Sequence, residues 1–327
     1  MGSSYHYRPF FKADKPPFPS RILIETGAVC NLKCRVCPTG INKLNIKPVF
    51  MSFNIFKAII KKIPTLRKVG FFNWGEPFLN PDIFKMIHYA HERGIHSYIH
   101  TNLSFKKDED FFARIIRSGA DELVVSLDGG SQRTYSRYRV GGNFNLVLAN
   151  MKNIVKLKKE FKSTKPKVTW KFIINKFNEH EIAKAYFMAK RIKVHFKIDF
   201  MGLSDDLPDV QLEDNIEERK KYWLPKNEQF VRKCYIGKYR YPLFDGICTQ
   251  LFTMCVVNSD GAIFPCCWIT DERNAFGNLL KDSMSHIWNN KKYVYSRSLF
   301  TKGKKIRLKH RTICAKCNNF LKIAADV

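Results

Sequence analysis

Short runs rich in β-branched and aromatic residues recur along the first two thirds of the chain, with helix-period stretches between them. Six such runs stand out, at 21–25, 69–73, 96–100, 122–126, 168–174 and 196–201. Strand-like runs that alternate with helices mark βαβ units around a parallel sheet. Six of them predict an α/β fold with a partial (β/α)6 TIM-like barrel. The punctuation between them agrees. Asn80 is placed to cap a helix starting at Pro81, with Ile83, Ile87 and Ala90 on one face and Gly94 as terminator. A helix from about Asp108 stops before Gly119, and another beginning near Asn143 carries the apolar stripe Val147, Met151 and Ile154.

After residue 201 the pattern breaks. Seven acidic residues and no Lys or Arg lie between positions 205 and 218, followed by a stretch rich in Lys, Arg and Tyr. This region reads as a connector. Beyond it, runs at 251–257 and 262–265 flank Asn258-Ser259-Asp260-Gly261, where Asp-Gly signals a hairpin turn. A short helix follows at 282–288. The expected organisation is an N-terminal extension at 1–20, a barrel at 21–201, a connector at 202–247, and a small C-terminal domain of β-hairpin plus helix at 248–327.

With 327 residues, 45% of them hydrophobic, the chain can bury a core for one large domain plus a small one. Its longest apolar runs fall well short of the roughly 20 residues that cross a bilayer. The N-terminus lacks the charged-then-apolar pattern of a secretory signal, so the expectation is a cytoplasmic protein with no transmembrane segment. Ten cysteines in such a chain point to metal or cluster ligation rather than to disulfides. The net charge of +28 has two competing readings, an anionic partner or Lys-rich genomic bias.

Cys30, Cys34 and Cys37 directly follow the first predicted strand, where a (β/α) barrel places its functional loops. Three thiolates can hold three irons of a four-iron cluster and leave the fourth open, whereas structural zinc needs a fourth ligand, such as His6. The segment C-N-L-K-C-R-V-C resembles the signature of the radical S-adenosylmethionine superfamily, and the resemblance extends over about 21–201. Val36 departs from it, since many members carry an aromatic residue there. In that family the open iron chelates S-adenosylmethionine, whose reductive cleavage yields a 5′-deoxyadenosyl radical that takes hydrogen from a substrate.

The resemblance implies further contacts to the cofactor. Gly75-Glu76-Pro77 looks like the motif that binds the methionine amino group, with Trp74 in place of the commoner first glycine. Thr101-Asn102 resembles the family's Thr-Asn turn, and Ser126 in Ser126-Leu127-Asp128-Gly129 is implied to bind the cofactor's carboxylate or ribose. Arg139 matches an arginine that pairs with the methionine carboxylate. The bland alternatives are an ordinary Gly-Pro turn, a helix cap at Asp128 and a surface arginine. Asn178-Glu179 reads as a helix start.

Seventeen residues lie between Cys248 and Cys266 and two between Cys314 and Cys317, so hairpin and late pair can converge on one four-cysteine site. The series D-G-x-x-x-P-C-C at 260–267, then Gly277-Asn278 and Ile287-Trp288, resembles the SPASM and shortened twitch domains of the same superfamily. Only six cysteines follow from Cys248, against seven in the full two-cluster pattern, so one auxiliary cluster is implied. Neighbours on a strand face opposite ways, which separates Cys266 from Cys267, and Cys266 is chosen by resemblance. Cys255 reads as a small buried residue and Cys234 as structural. A four-cysteine zinc site is the competing reading.

Nine Lys/Arg and no acid occupy 291–311, a segment expected to attract an anionic partner. Nucleic acid stays open, although no recognition motif supports it. The implied cofactors are S-adenosylmethionine and two 4Fe-4S clusters, fed by an electron donor such as flavodoxin or ferredoxin. The reading is an oxidoreductase that abstracts hydrogen from a small, sugar-like or phosphorylated substrate and passes an electron to the auxiliary cluster. The alternatives are a peptide maturase that crosslinks or epimerises, and a zinc-stabilised nucleic-acid-binding protein. About 20 residues precede the first strand, short for a peptide-recognition module. Anaerobically reconstituted protein should hold about eight irons in two clusters. Iron and sulfide analysis decides this, and colourless zinc-loaded protein would refute it.

Overall fold

The computed structural model describes residues 16–204, 207–212, 215–232, 235, 248–301 and 312–317. His6, Cys234 and positions 302–311 of the basic segment lie outside the described residues. Each of the six predicted runs forms a strand: β1 Arg21–Ile24, β2 Lys68–Phe71, β3 His96–Thr101, β4 Glu122–Ser126, β5 Lys167–Ile174 and β6 His195–Phe200. They pair in sequence order, all parallel, without closing into a ring. The helices between them are α1 Phe53–Lys61, α2 Ile83–His91, α3 Glu109–Arg117, α4 Gln132–Tyr138, α5 Phe144–Glu160 and α6 Ile182–Arg191. Burial of Val147, Met151 and Ile154 turns the predicted stripe of α5 toward the sheet. Side-chain oxygens of Ser52, Asp108 and Asn143 accept the N–H three residues on and start α1, α3 and α5.

Asn80 departs from its expected role. The helix after it begins at Ile83, not Pro81, with Asp82 in the cap position. Buried Asn80 donates its amide to the carbonyls of Thr26 (2.7 Å) and Met51 (2.9 Å) and accepts the N–H of Asp82 (2.8 Å). A buried amide has to use its hydrogen-bonding capacity, and here that need fastens the loop after β1. In the connector, α7 Ile216–Trp223 packs Trp223 onto Tyr138 and Phe177.

The C-terminal region joins the same sheet. The residues expected as a strand at 251–257 split into a short helix, α8 Gln250–Thr253, and β7 Met254–Val257. β7 pairs in parallel with β1, setting Cys255 opposite Ile22. The hairpin turn leads into β8 Ala262–Phe264, antiparallel to β7, with Gly261 at φ +82, a left-handed conformation that favours glycine. β9 Gly277–Asn278 completes the order β6-β5-β4-β3-β2-β1-β7-β8-β9. Helix α9 Met284–Trp288 is capped by Ser283.

Helix α10 Lys291–Thr301 was not foreseen, because its lysines made it read as part of a charged surface. One cation of that basic segment proves to be internal. Arg297, 0% exposed, donates Nε to the carbonyl of Leu251 (3.0 Å) and Nη1 to that of Trp288 (2.7 Å). Its guanidinium also lies 4.4 Å from the Trp288 ring centre, a cation–π contact that fastens α10 to α8 and α9. Arg297→Ala should lower stability by about 1–3 kcal/mol for each carbonyl left without a partner. Exposed Lys291→Ala should change it by roughly 0.5 kcal/mol or less. Denaturant titration of the two variants side by side checks the contrast.

Candidate active site

Cys30, Cys34 and Cys37 face one cavity of about 490 Å³, which Val36, Gly75, Glu76, Thr101, Asn102, Ser126 and Arg139 also line. Pro77 is not part of that lining; it opens a short 3-10 turn and is buried. The loop that carries the cysteines is held by its backbone. Lys33 N–H donates to Val140 O (3.0 Å) and Arg35 N–H to Tyr138 O (3.1 Å), so Arg139 is carried alongside Cys34. Gly40 presses on this loop, and a Cβ there would lie 2.3 Å from the Cys34 carbonyl oxygen. From the connector, Ser204 donates to Val36 O (2.6 Å) and covers the loop.

Hydrogen-bond donors point at the sulfurs. Leu32 N–H lies 3.5 Å and Asn102 Nδ2 3.7 Å from Cys30 Sγ, and Arg139 Nη1 lies 3.9 Å from Cys34 Sγ. Such donors favour thiolate over thiol. Burial acts the other way, pushing Cys30 up to about 11 and Cys34 up to about 12. The thiols therefore keep their protons until a metal displaces them.

Two buried carboxylates organise the loops around the cysteines. Glu76 accepts the Thr101 hydroxyl (2.7 Å) and the N–H groups of Asn102 (2.7 Å) and Phe78 (3.2 Å). Burial raises it to about 7 against these hydrogen bonds. Thr101 and Asn102 thus orient Glu76 as well as line the cavity. Glu25, which sequence reasoning missed, ends the first strand run and accepts the N–H groups of Gly27 (3.0 Å), Trp74 and Gly75 (3.0 Å). Burial pushes its carboxyl upward. The available signal was an acid closing an otherwise apolar strand, Arg21-Ile22-Leu23-Ile24-Glu25.

Asp128 is an ion-pair partner, not a helix cap. It is fully buried, accepts Arg139 Nε (2.6 Å) and takes the N–H of Ile173 on β5 (2.6 Å). Ser131 caps α4 instead. Asn178 also exceeds its expected part: its amide donates to Asp128 O (3.1 Å) and Ile173 O (2.9 Å), while α6 begins after a short 3-10 turn. Ser126, at the end of β4, faces the cavity.

The structure also brings Cys248, Cys266, Cys314 and Cys317 together around a second, much smaller pocket of about 30 Å³. Burial raises Cys248 to about 11 and Cys314 to about 12. Cys267 instead lines the first cavity, beside Trp268. Cys255 lies inside the sheet, where burial alone lifts it to about 12. Among the described residues, no three His, Cys, Asp or Glu side chains are arranged around a single metal ion.

Residues 24–189 match the model of the radical SAM superfamily, and 248–318 that of an iron-sulfur cluster-binding domain, SPASM. The chain belongs to the radical SAM superfamily and carries a SPASM domain; its cofactors are S-adenosylmethionine and 4Fe-4S clusters. It is 26% identical over 186 residues to the Fe-coproporphyrin III synthase of Methanosarcina barkeri, spanning 56% of this chain but only 43% of that protein. It is 22% identical over 344 residues to the cysteine-type anaerobic sulfatase-maturating enzyme of Clostridium novyi, spanning 91% of this chain and 85% of the other. Its fold is similar to that of Streptococcus suis SuiB bound to S-adenosylmethionine (TM-score 0.65, 17% identity, 93% of this chain and 71% of that one). It is likewise similar to anSMEcpe with bound AdoMet (TM-score 0.63, 16% identity, 94% and 97%). Among the described residues no helix is long and apolar enough to cross a membrane.

Glycine is forced at position 75, where a Cβ would meet the Gly27 carbonyl oxygen at 1.8 Å. Gly75→Ala should therefore push the two loops apart and weaken S-adenosylmethionine binding by about tenfold or more, ~1.4 kcal/mol. Equilibrium dialysis measures this, and unchanged affinity in a folded variant would contradict the geometry.

Proposed function

We propose that Cys30, Cys34 and Cys37 hold the cluster that engages S-adenosylmethionine, and that Cys248, Cys266, Cys314 and Cys317 hold a single auxiliary cluster. On this reading the enzyme oxidises a C–H position of a small or polymer-linked anionic substrate. The observation that carries it is the split between Cys266 and Cys267. Consecutive residues line the two sites, so the substrate's cavity and the auxiliary centre share one stretch of wall.

When bound, the cofactors supply a hydrogen-abstracting radical and an acceptor for the electron the substrate then loses. The chain's own residues position the parts. Glu76 offers a carboxylate to the methionine ammonium, held in place by Thr101, Asn102 and the 3-10 turn that starts at Pro77. Arg139, steadied through Nε by Asp128 and with Nη1 near Cys34 Sγ, offers Nη2 to the methionine carboxylate. Ser126 meets the carboxylate or ribose, and Gly75 lets the backbone approach closely. The connector covers the cysteine loop through Ser204 and grips the C-terminal region through Asp209, which accepts the N–H of Thr270 (3.1 Å). This supports a division into barrel at 21–201, connector at 202–247 and auxiliary domain at 248–327. Electrons would come from a small reduced donor such as flavodoxin or ferredoxin.

A second reading, modification of a peptide, is favoured by the Clostridium novyi relative, whose alignment runs through nearly the whole chain. Electron counting separates net oxidation from a redox-neutral change such as epimerisation, and the mass of the modified product tells a peptide from a small substrate. With reconstituted enzyme, extract supplying substrate and limiting reductant, net oxidation predicts more 5′-deoxyadenosine than electrons added, because each turnover returns one. A strict one-to-one ratio overturns the oxidative reading. In the same assay, a folded Cys314→Ala/Cys317→Ala variant that keeps its first cluster should still form 5′-deoxyadenosine but lose the excess. An unaltered excess would make the second site structural.

A further inference from the structure

The first cavity continues from the cysteine loop into the barrel, where its lining includes His100 of β3, Lys171 of β5 and Asp199 of β6. Barrel interiors are ordinarily packed with branched apolar side chains, so an ionisable lining calls for an explanation. In-register neighbours in a parallel sheet share a face. Lys171 lies opposite Ser126 on one side and Lys197 on the other, so all three are carried on the cavity face.

Lys171 differs from the other cations of this lining. Arg139 is paired with Asp128, and Arg232 donates Nε (3.2 Å) and Nη2 (3.0 Å) to the carbonyl of Phe200. The Lys171 ammonium has neither a hydrogen-bond nor an ion-pair partner among the described residues, and Asp199 on the adjoining strand stays beyond ion-pair distance. Lys171 is half-buried on the cavity wall, and an ammonium there with no direct hydrogen-bond or ion-pair partner is under-compensated. Around it, the charges of Asp128 and Asp199 are offset by those of Arg139 and Lys197, and burial tips the balance against its charged form. His100 registers the same field. It stacks on Phe72 with ring centres 3.8 Å apart, and burial together with Lys171, Lys197 and Arg21 lowers it to about 3, so it adds no charge of its own.

We propose that Lys171 seats an oxyanion of the substrate, a carboxylate or a phosphate, in the barrel interior beside the S-adenosylmethionine site. The assignment names the substrate chemistry of that same cavity and rests on the function proposed above. Placed there, the oxyanion supplies the direct ion-pair partner that Lys171 lacks. It also anchors the substrate at one end, leaving its C–H bonds to be presented toward the cysteine loop. The subsite is separate from the methionine carboxylate, for which Arg139 is available.

The test is calorimetric titration of the anaerobic holoenzyme, saturated with S-adenosylmethionine, with inorganic phosphate and separately with acetate, against chloride at matched ionic strength. Saturable binding of one of them is expected, and which one binds tells phosphate from carboxylate. Lys171→Met should weaken that binding by about tenfold or more, and Lys171→Arg should restore part of it. Iron content and circular dichroism establish that each variant is folded; if Lys171→Met loses its clusters, Lys171→Gln, which keeps a polar group in the barrel, takes its place. No saturable binding to the wild type, equal affinity in the charge-free variant, or displacement of S-adenosylmethionine by the anion would each overturn the assignment. Reductive cleavage of S-adenosylmethionine by the wild type is followed in parallel. Cleavage without anion binding removes the subsite alone, whereas failure of cleavage removes the underlying reading.

Discussion

The backbone hydrogen bonds between β1 and β7 fix the geometry on which everything else depends. Four in-register pairs join the strands, and Glu25 N–H extends the ladder to Val257 O (2.9 Å). β1 leads directly into the loop of Cys30, Cys34 and Cys37. β7 leads through the hairpin to Cys266 and Cys267. Because both depart from neighbouring strands of one sheet, the two cysteine groups inherit a fixed separation. No flexible linker sets it. Where the chain bends just past β8, Cys266 faces Cys248, Cys314 and Cys317 and Cys267 faces the first cavity.

Around this frame, buried carboxylates do the fastening that apolar packing cannot. Glu25, Glu76 and Asp128 sit just beyond β1, β2 and β4; Glu25 and Glu76 take backbone N–H groups from a loop other than their own, and Asp128 takes one from β5. A buried carboxylate is tolerated only when its oxygens are satisfied, so each one specifies a loop position closely. Directional bonds of this kind hold an irregular loop in a way that a greasy contact, indifferent to rotation, does not.

The strands were legible because buried parallel strands are written as β-branched and aromatic runs, as β1 to β5 are, while β6, exposed at the margin, showed itself by alternating Phe196, Ile198 and Phe200 with polar residues. Helices with an Asp or Asn cap were equally legible at Asp108 and Asn143, whereas the Ser-capped α1 and α4 were not read. What escaped has a common cause: polar residues with long-range partners look local in a sequence. Glu25 looked like the end of a strand, Asp128 like a cap, and Asn80 like the start of a helix. Arg297 was hidden among lysines, although its partners lie on α8 and α9. The pairing of β7 with β1, across more than two hundred residues, leaves no local mark at all.

A barrel that does not close keeps two strand margins, and an unpaired margin is a template for adding a strand from another copy. The two ends of this sheet are guarded differently. β9 is two residues long and offers little to pair with. β6 is longer, at six residues, and exposes Ile198 and Phe200, but it carries Lys197 on its cavity side and is preceded by exposed Lys193. A second copy approaching that margin would have to bring like charges together and desolvate them. Like charges at a margin of this kind disfavour strand addition without any ligand being involved.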